Sequence, residues 1–227
     1  MHEIETQRYS EAVNTLKNLA YNETEDVANK KTLLSIAKLS MLASEEASEA
    51  ADIELRSIEY DLNIISAQEQ LPSTLCNHTR PLNARELIEL YIGDDNAEAD
   101  HVDFKKALDL VEYIAPISSG SMFDFEAEKE ATRLKIWAKS LLKDAWESLT
   151  TDDPIETIKE TTFFKLVEFC YLQGLDLKEN MPAPDALLEA DELDHLKSNA
   201  NVQFLLRTGY EYVRRHCTNQ EESMIIS

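Results

Sequence analysis

The chain has 227 residues, enough to bury roughly 70% of the surface that its unfolded form exposes, so a packed core needs no covalent staples. Gly (4) and Pro (6) are scarce while Ala, Leu, Glu, Lys and Gln fill long runs, which predicts an all-α protein and argues against a β fold with its frequent turns. A formal net charge of −22 opposes the counterion release that drives nucleic-acid binding and repels an anionic membrane surface, so neither is an expected direct contact.

Taken in chain order, the first helix is predicted from about Ile4 to Ala20, where Tyr9, Ala12, Val13, Leu16 and Leu19 recur at three- and four-residue intervals. Asn22 precedes Glu25 by the spacing of a capping box, which opens a second helix reaching about Ser44. A third, acidic helix runs from about Glu45 to Gln70, with Ile53, Leu55, Ile58, Leu62 and Ile65 on one face and Pro72 beyond its end. Residues 71–82 carry two prolines in a polar stretch and read as the longest loop, a candidate division between two subdomains.

Asn83 with Glu86 opens a short helix that Gly93 closes through the left-handed conformation, and another helix spans about Asp100 to Ile114. After Pro116 and the Ser118-Ser119-Gly120-Ser121 break, a long helix is predicted from about Phe125 to Leu149. Asp153-Pro154 is a cap followed by a first-turn proline and starts a segment reaching Gly174. A short piece surrounds Ala186 to Leu188, the last helix covers about Val202 to Cys217, and residues 218–227 read as a frayed tail. The expected architecture is one all-helical domain over residues 1–217, an irregular stack of antiparallel helices without a fixed-period repeat.

Cys76, Cys170 and Cys217 are odd in number and far apart, without the spacing of a zinc site or a disulfide framework. Reduced thiols in an intracellular compartment are the expectation. No apolar run approaches the roughly 20 residues of a membrane span, and residues 1–5 lack the basic-then-apolar pattern of a signal peptide. The string Asp94-Asp95-Asn96-Ala97-Glu98 resembles the aspartate-rich motif by which terpene and prenyl synthases hold magnesium and diphosphate, but it follows a glycine and has no second metal motif. As an EF-hand loop it lacks the central Gly and has Lys105 in place of the closing Glu. The five histidines make no ligand pair, and no nucleophile elbow or phosphate-cradling glycine loop exists, so neither catalysis nor a cofactor is expected.

The second helix carries two apolar arcs when wound at 100° per residue, where a surface helix needs one. Val27, Leu33, Leu34, Ala37 and Met41 form one, and Ile36, Leu39, Leu42 and Ala43 the other, with Lys31 and Lys38 between them. Two readings stand at this point: a central helix sandwiched inside the domain, or an exposed face for a partner helix with an apolar strip and an acidic rim.

Ordered blocks along the chain then carry a resemblance. Asn22-Glu23-Thr24, Lys30-Lys31-Thr32-Leu33-Leu34 and Lys38-Leu39 are followed by Leu87-Ile88-Glu89-Leu90-Tyr91-Ile92 and Asp103-Phe104-Lys105-Lys106-Ala107-Leu108-Asp109-Leu110. Asp152-Asp153-Pro154-Ile155-Glu156, Leu196-Lys197-Ser198-Asn199 and Tyr210-Glu211-Tyr212 complete the series. From about Leu19 to Tyr212 the chain resembles the C-terminal domain of the nucleoporin 133 family, a scaffold component of the Y-shaped outer-ring complex of the nuclear pore.

What the resemblance implies is an α-solenoid-like stack at the nuclear envelope that builds the pore, supporting mRNA export and protein transport by assembly and not by catalysis. It implies as partner the C-terminal helical domain of nucleoporin 107 in the Y-complex stem. The family's contact surface falls on Asn29, Ile36 and Leu39, and Thr32, Ser40 and Ala43 share the same wheel arc. Asn29 departs from the family's Lys at that place. The family's β-propeller and its membrane-sensing segment lie outside the matched stretch, so membrane contact is not carried over. The alternatives are a helical adaptor for a different acidic partner and, from the Asp94 string, a magnesium-dependent all-α synthase.

Overall fold

The computed structural model describes residues 8–44, 48–76, 79–116 and 122–225, the side chains of 122–123, 178–179 and 216–225 aside. Among these residues there are helices and connecting turns and no strands. They fall into two compact units, one running to Asp95 and including Tyr113–Ala115, the other Asn96–Glu112 with the chain from Pro116 onward. The loop 71–82 thus lies within the first unit, and the division comes at Asp95/Asn96.

The first unit is built on α1 (Tyr9–Asn22), α2 (Val27–Ala43), α3 (Glu49–Glu69) and α4 (Ala84–Ile92). The Asn22 capping box is not used: Asn22 ends α1, and its side-chain amide donates to the Asn18 carbonyl at 2.8 Å. Asp26 caps α2 instead, accepting from the Ala28 and Asn29 amides at 2.8 and 3.2 Å. The pairs Lys31–Glu69 (2.6 Å) and Lys38–Glu59 (2.9 Å) show α3 running antiparallel to α2, while Lys17–Glu54 and Tyr21–Ser57 show it running with α1. Val13, Leu16, Ala20, Leu34, Ala37, Ile58 and Ile65 fill the space between these three helices. Three amphipathic stripes facing one another is the expected solution for helices of this length.

Loop 71–82 is tied down by Gln68, 5% exposed, whose amide donates to the Arg80 carbonyl (2.7 Å) and whose oxygen accepts from the Leu82 amide (2.9 Å). The Val27 amide, which has no partner within α2, in turn donates to the Thr79 carbonyl at 2.8 Å. Asn83 and Glu86 form the expected capping box of α4. Gly93 ends α4 for a different reason from the one expected, since its φ is −71° and not left-handed. A Cβ there would lie 2.4 Å from the Glu89 carbonyl oxygen, so the constraint is close backbone approach.

The second unit comprises α5 (His101–Val111), α6 (Met122–Leu141), α7 (Pro154–Lys159), α8 (Thr162–Leu172), α9 (Leu177–Asn180), α10 (Pro184–Leu188) and α11 (Ala200–Ile225). Helix α6 stops at Leu141, short of the Leu149 expected, because the Trp146 indole turns back to donate to the Leu141 carbonyl at 2.7 Å. The segment after Pro154 breaks in two at Thr161, whose hydroxyl caps α8, while Asp144 accepts from the Thr162 amide at 2.7 Å. The last helix continues past Cys217 to Ile225.

An aromatic cluster organises this core, with ring centroids of Trp137 and Phe163 5.7 Å apart, Phe163 and Phe164 5.1 Å, and Trp146 and Phe164 6.3 Å. Its polar tips are satisfied: the Trp137 indole donates to the Asn180 carbonyl at 3.1 Å and the Tyr210 hydroxyl to that of Pro182 at 2.7 Å.

Candidate functional site

Helix α2 carries the residues singled out from the sequence, and its placement starts with Glu23. One oxygen of that carboxylate accepts from the Glu25 and Asp26 amides at 3.0 Å each, and the other from the Asn29 side chain at 2.5 Å. The Asp26 and Glu25 amides, the Asn29 side chain and nearby Lys30 hold the Glu23 carboxyl below its usual range. The Asn29 amide is thereby oriented toward the turn and presents no cation.

Leu34, Ala37 and Ser40 are buried, and Val27, Leu33, Ile36 and Met41 pack half-buried against the same core. On the opposite side Asn29, Thr32, Leu39, Leu42 and Ala43 are exposed, Leu39 at 66% and Leu42 at 58%. Thr32 turns its hydroxyl to the Ala28 carbonyl at 2.9 Å, leaving the middle of the face smooth. Helix α2 is therefore not sandwiched within its unit.

Four of the six residues expected on the face are there. Ile36 sits at its edge and belongs partly to the core, and Ser40, only 4% exposed, is turned inward. The helical repeat supplies the reason: Ser40 stands about 100° from Leu39 and only about 20° from Leu33, beside the arc that packs on the core. Leu42, which the six omit, is exposed beside Leu39, and its membership of the second apolar arc was the signal for it. Lys31 and Lys38 lie between the two apolar arcs. They pair with Glu69 and Glu59 of α3, and exposed pairs of this kind contribute only about 0–1 kcal/mol.

Asp94, Asp95 and Glu98 are exposed in the turn after α4, and Asp100 caps α5 by accepting from the Val102 and Asp103 amides at 2.8 and 3.2 Å. Asn96 is buried, and Lys143 donates to its carbonyl at 2.8 Å. Among the described residues no three His, Cys, Asp or Glu side chains come together in a way that could hold a metal ion. None of the described helices is long and apolar enough to cross a membrane. Cys170 is buried, and burial pushes its thiol up to about 12 against the opposing pull of Lys105. The side chain of Cys217 lies outside the described residues, as do Asn77 and His78.

Fold and face together define the class, an all-α stack of the α-solenoid kind that leaves an apolar strip of one helix uncovered. No family model matches the chain. Among curated proteins it is 37% identical over 220 residues to the nuclear pore complex protein Nup133 of Mus musculus, and equally so to that of Homo sapiens. Nup133 of Danio rerio is 36% identical over 227 residues. Each match takes in 93% of this chain and 18–19% of the relative, in a C-terminal part, so the chain spans about a fifth of the length of these relatives. The resemblance carried by the ordered blocks is thus a similarity along nearly the whole chain.

Proposed function

We propose that the chain is a structural element of the nuclear pore at the nuclear envelope, a helical scaffold that acts by holding a neighbouring protein. The observation that carries this reading is the similarity to Nup133 over 93% of the chain. It is supported by a second helix whose outer face is apolar and solvent-exposed. In this reading Leu39, Leu42 and Ala43, with Thr32, Asn29 and the edge of Ile36, dock against the C-terminal helical domain of nucleoporin 107 in the Y-complex stem. Messenger RNA export and protein transport are served through assembly. Nothing on the face is a nucleophile, an acid or a base positioned on another, so its chemistry is that of contact.

Covering a leucine side chain fully contributes roughly 1.5–3 kcal/mol, and central anchors of an interface typically cost 2 kcal/mol or more when lost. The test is binding of the purified chain to the nucleoporin 107 C-terminal domain by calorimetry. Leu39→Asp is expected to abolish measurable binding while leaving thermal stability within about 0.5 kcal/mol, because that side chain stands in solvent. Ile36→Asp is the wrong probe, since it disturbs the core as well. Equal affinity of wild type and Leu39→Asp sinks the proposed face.

A further inference from the structure

In the first unit a cleft of about 550 Å³ opens among α1 and the turn after it, Lys30 of α2, α3, residues 80–83 with the first turn of α4, and residues 113–115. Tyr21, Tyr60 and Tyr113 line it, Ile64 and Ile65 contribute apolar surface, and the Asp61 carboxylate faces the same space. The aromatic residues are held in place. Tyr60 and Tyr113 lean together with centroids 4.9 Å apart at 55°, the Tyr113 hydroxyl accepts from the Asn63 side chain at 2.9 Å, and Tyr21 hydrogen-bonds both Ser57 and Asp61.

Asp61 is the unusual member. It is half-buried, and burial raises its carboxyl above the ordinary range despite opposing pulls from Lys30, Tyr21 and Lys17. Yet among the described residues no cation forms an ion pair with it. Lys17 is spent on Glu54 at 2.7 Å. Of the cations that line the cleft, Arg80 is bound to Glu86 at 2.7 Å and Arg85 donates to the Ala115 carbonyl at 2.8 Å, and Lys30 acts on Asp61 through its charge without forming an ion pair with it. A half-buried, unpaired carboxylate costs stability, and that cost is recovered when a cation arrives with hydrogen bonds to give.

We propose that this cleft receives an arginine side chain presented by another protein segment, with Asp61 as its carboxylate and the Tyr21, Tyr60 and Tyr113 rings as its walls. A guanidinium matches the site in two ways: its planar fork suits a carboxylate, and its faces stack on aromatic rings where an ammonium offers only a point charge. The chain's net charge of −22 adds a long-range attraction for cations and repels an anionic ligand. Leu39, Leu42 and Ala43 do not line this cleft, which meets α2 only at Lys30 and the turn at Glu23, and its occupation does not depend on the docking proposed above.

The test is a nuclear magnetic resonance titration of the isotope-labelled full chain with N-acetyl-arginine methylamide at constant ionic strength. The corresponding lysine compound and sodium chloride serve as parallel arms. Saturable shifts at Tyr60, Asp61 and Tyr113 are expected, with a downward move of the Asp61 titration midpoint, and binding at least roughly tenfold weaker in Asp61→Asn. Tyr60→Leu is expected to weaken binding while keeping the fall in the Asp61 midpoint. Shifts no larger than those from salt, or arginine binding unchanged in Asp61→Asn, overturn the proposal, and equal binding of the lysine compound overturns the guanidinium assignment. A preserved amide spectrum in both variants shows that the loss is not unfolding.

Discussion

Asp61 links stability to the cleft. A carboxyl whose folded-state pKa lies above its unfolded value binds more protons when folded, so its contribution to stability is present below the ordinary carboxylate range and is lost as pH rises through the raised value. Asp61→Asn is therefore expected to be at least as stable as wild type near neutral pH, with the difference vanishing at about pH 3, where both states are protonated. Denaturant melts at the two pH values check this, and an Asn variant less stable at neutral pH refutes it. The thiols differ in the same local way. Cys76 is exposed and Cys170 is buried with a thiol pushed up to about 12. With Cys217 replaced by Ser, a thiol reagent at mildly alkaline pH should titrate Cys76 in the native chain and Cys170 only after denaturation. Gly209 is a third residue whose role is purely local: a Cβ there would lie 1.9 Å from the Phe164 ring. Gly209→Ala is expected to cost about 1–3 kcal/mol by overpacking, read as a lower melting temperature.

At the scale of elements, the start of α2 shows how a helix is placed by more than its own residues. Asn22, Thr24 and Asp26 are all acceptable caps within five residues, and the Asn22–Glu25 spacing favoured the first. The structure uses Asp26, because Glu23 folds back on the turn and Thr79, far along the chain, takes the Val27 amide. Removing the cap with Asp26→Ala should cost about 1 kcal/mol, and the Ala28 and Asn29 amides should exchange hydrogen faster than those in the middle of α2. If their exchange is unchanged, the cap belongs elsewhere. The docking strip is subject to the same logic. Two apolar arcs were legible from periodicity, and so were Leu39 and the place of Ser40 beside Leu33, whereas which arc is covered depended on where α1 and α3 pack.

For the molecule as a whole, an acidic excess of this size works against compactness. Lys17, Lys31 and Lys38 tie helices of the first unit together, but the Lys31 and Lys38 pairs are exposed and worth little against the general repulsion. The melting temperature is accordingly expected to rise as salt is raised from low to moderate concentration, and a fall would mean that the ion pairs outweigh the repulsion. The division at Asp95/Asn96 also belongs to this scale. Residues 71–82 hold two prolines and look like the natural boundary, yet Gln68 stitches them into the first unit by two hydrogen bonds. A proline-rich stretch reports the end of a helix and says nothing about which neighbours its backbone will find.

By itself, the sequence determined the helical class, the position of nearly every helix, the capping box at Asn83, the apolar character of α2 on two sides and the similarity to nucleoporin 133. These follow from local rules, in which residue spacing and backbone preference act within a few turns. Tertiary structure alone decided which of the two apolar arcs of α2 is covered, that Asp26 caps α2, and that Lys31 and Lys38 are spent on α3. It also brought Tyr21, Asp61 and Tyr113 to one cleft. The physical reason is common to all of these: burial and pairing depend on partners tens of residues away, and no periodicity along one helix records which of its faces another helix will cover.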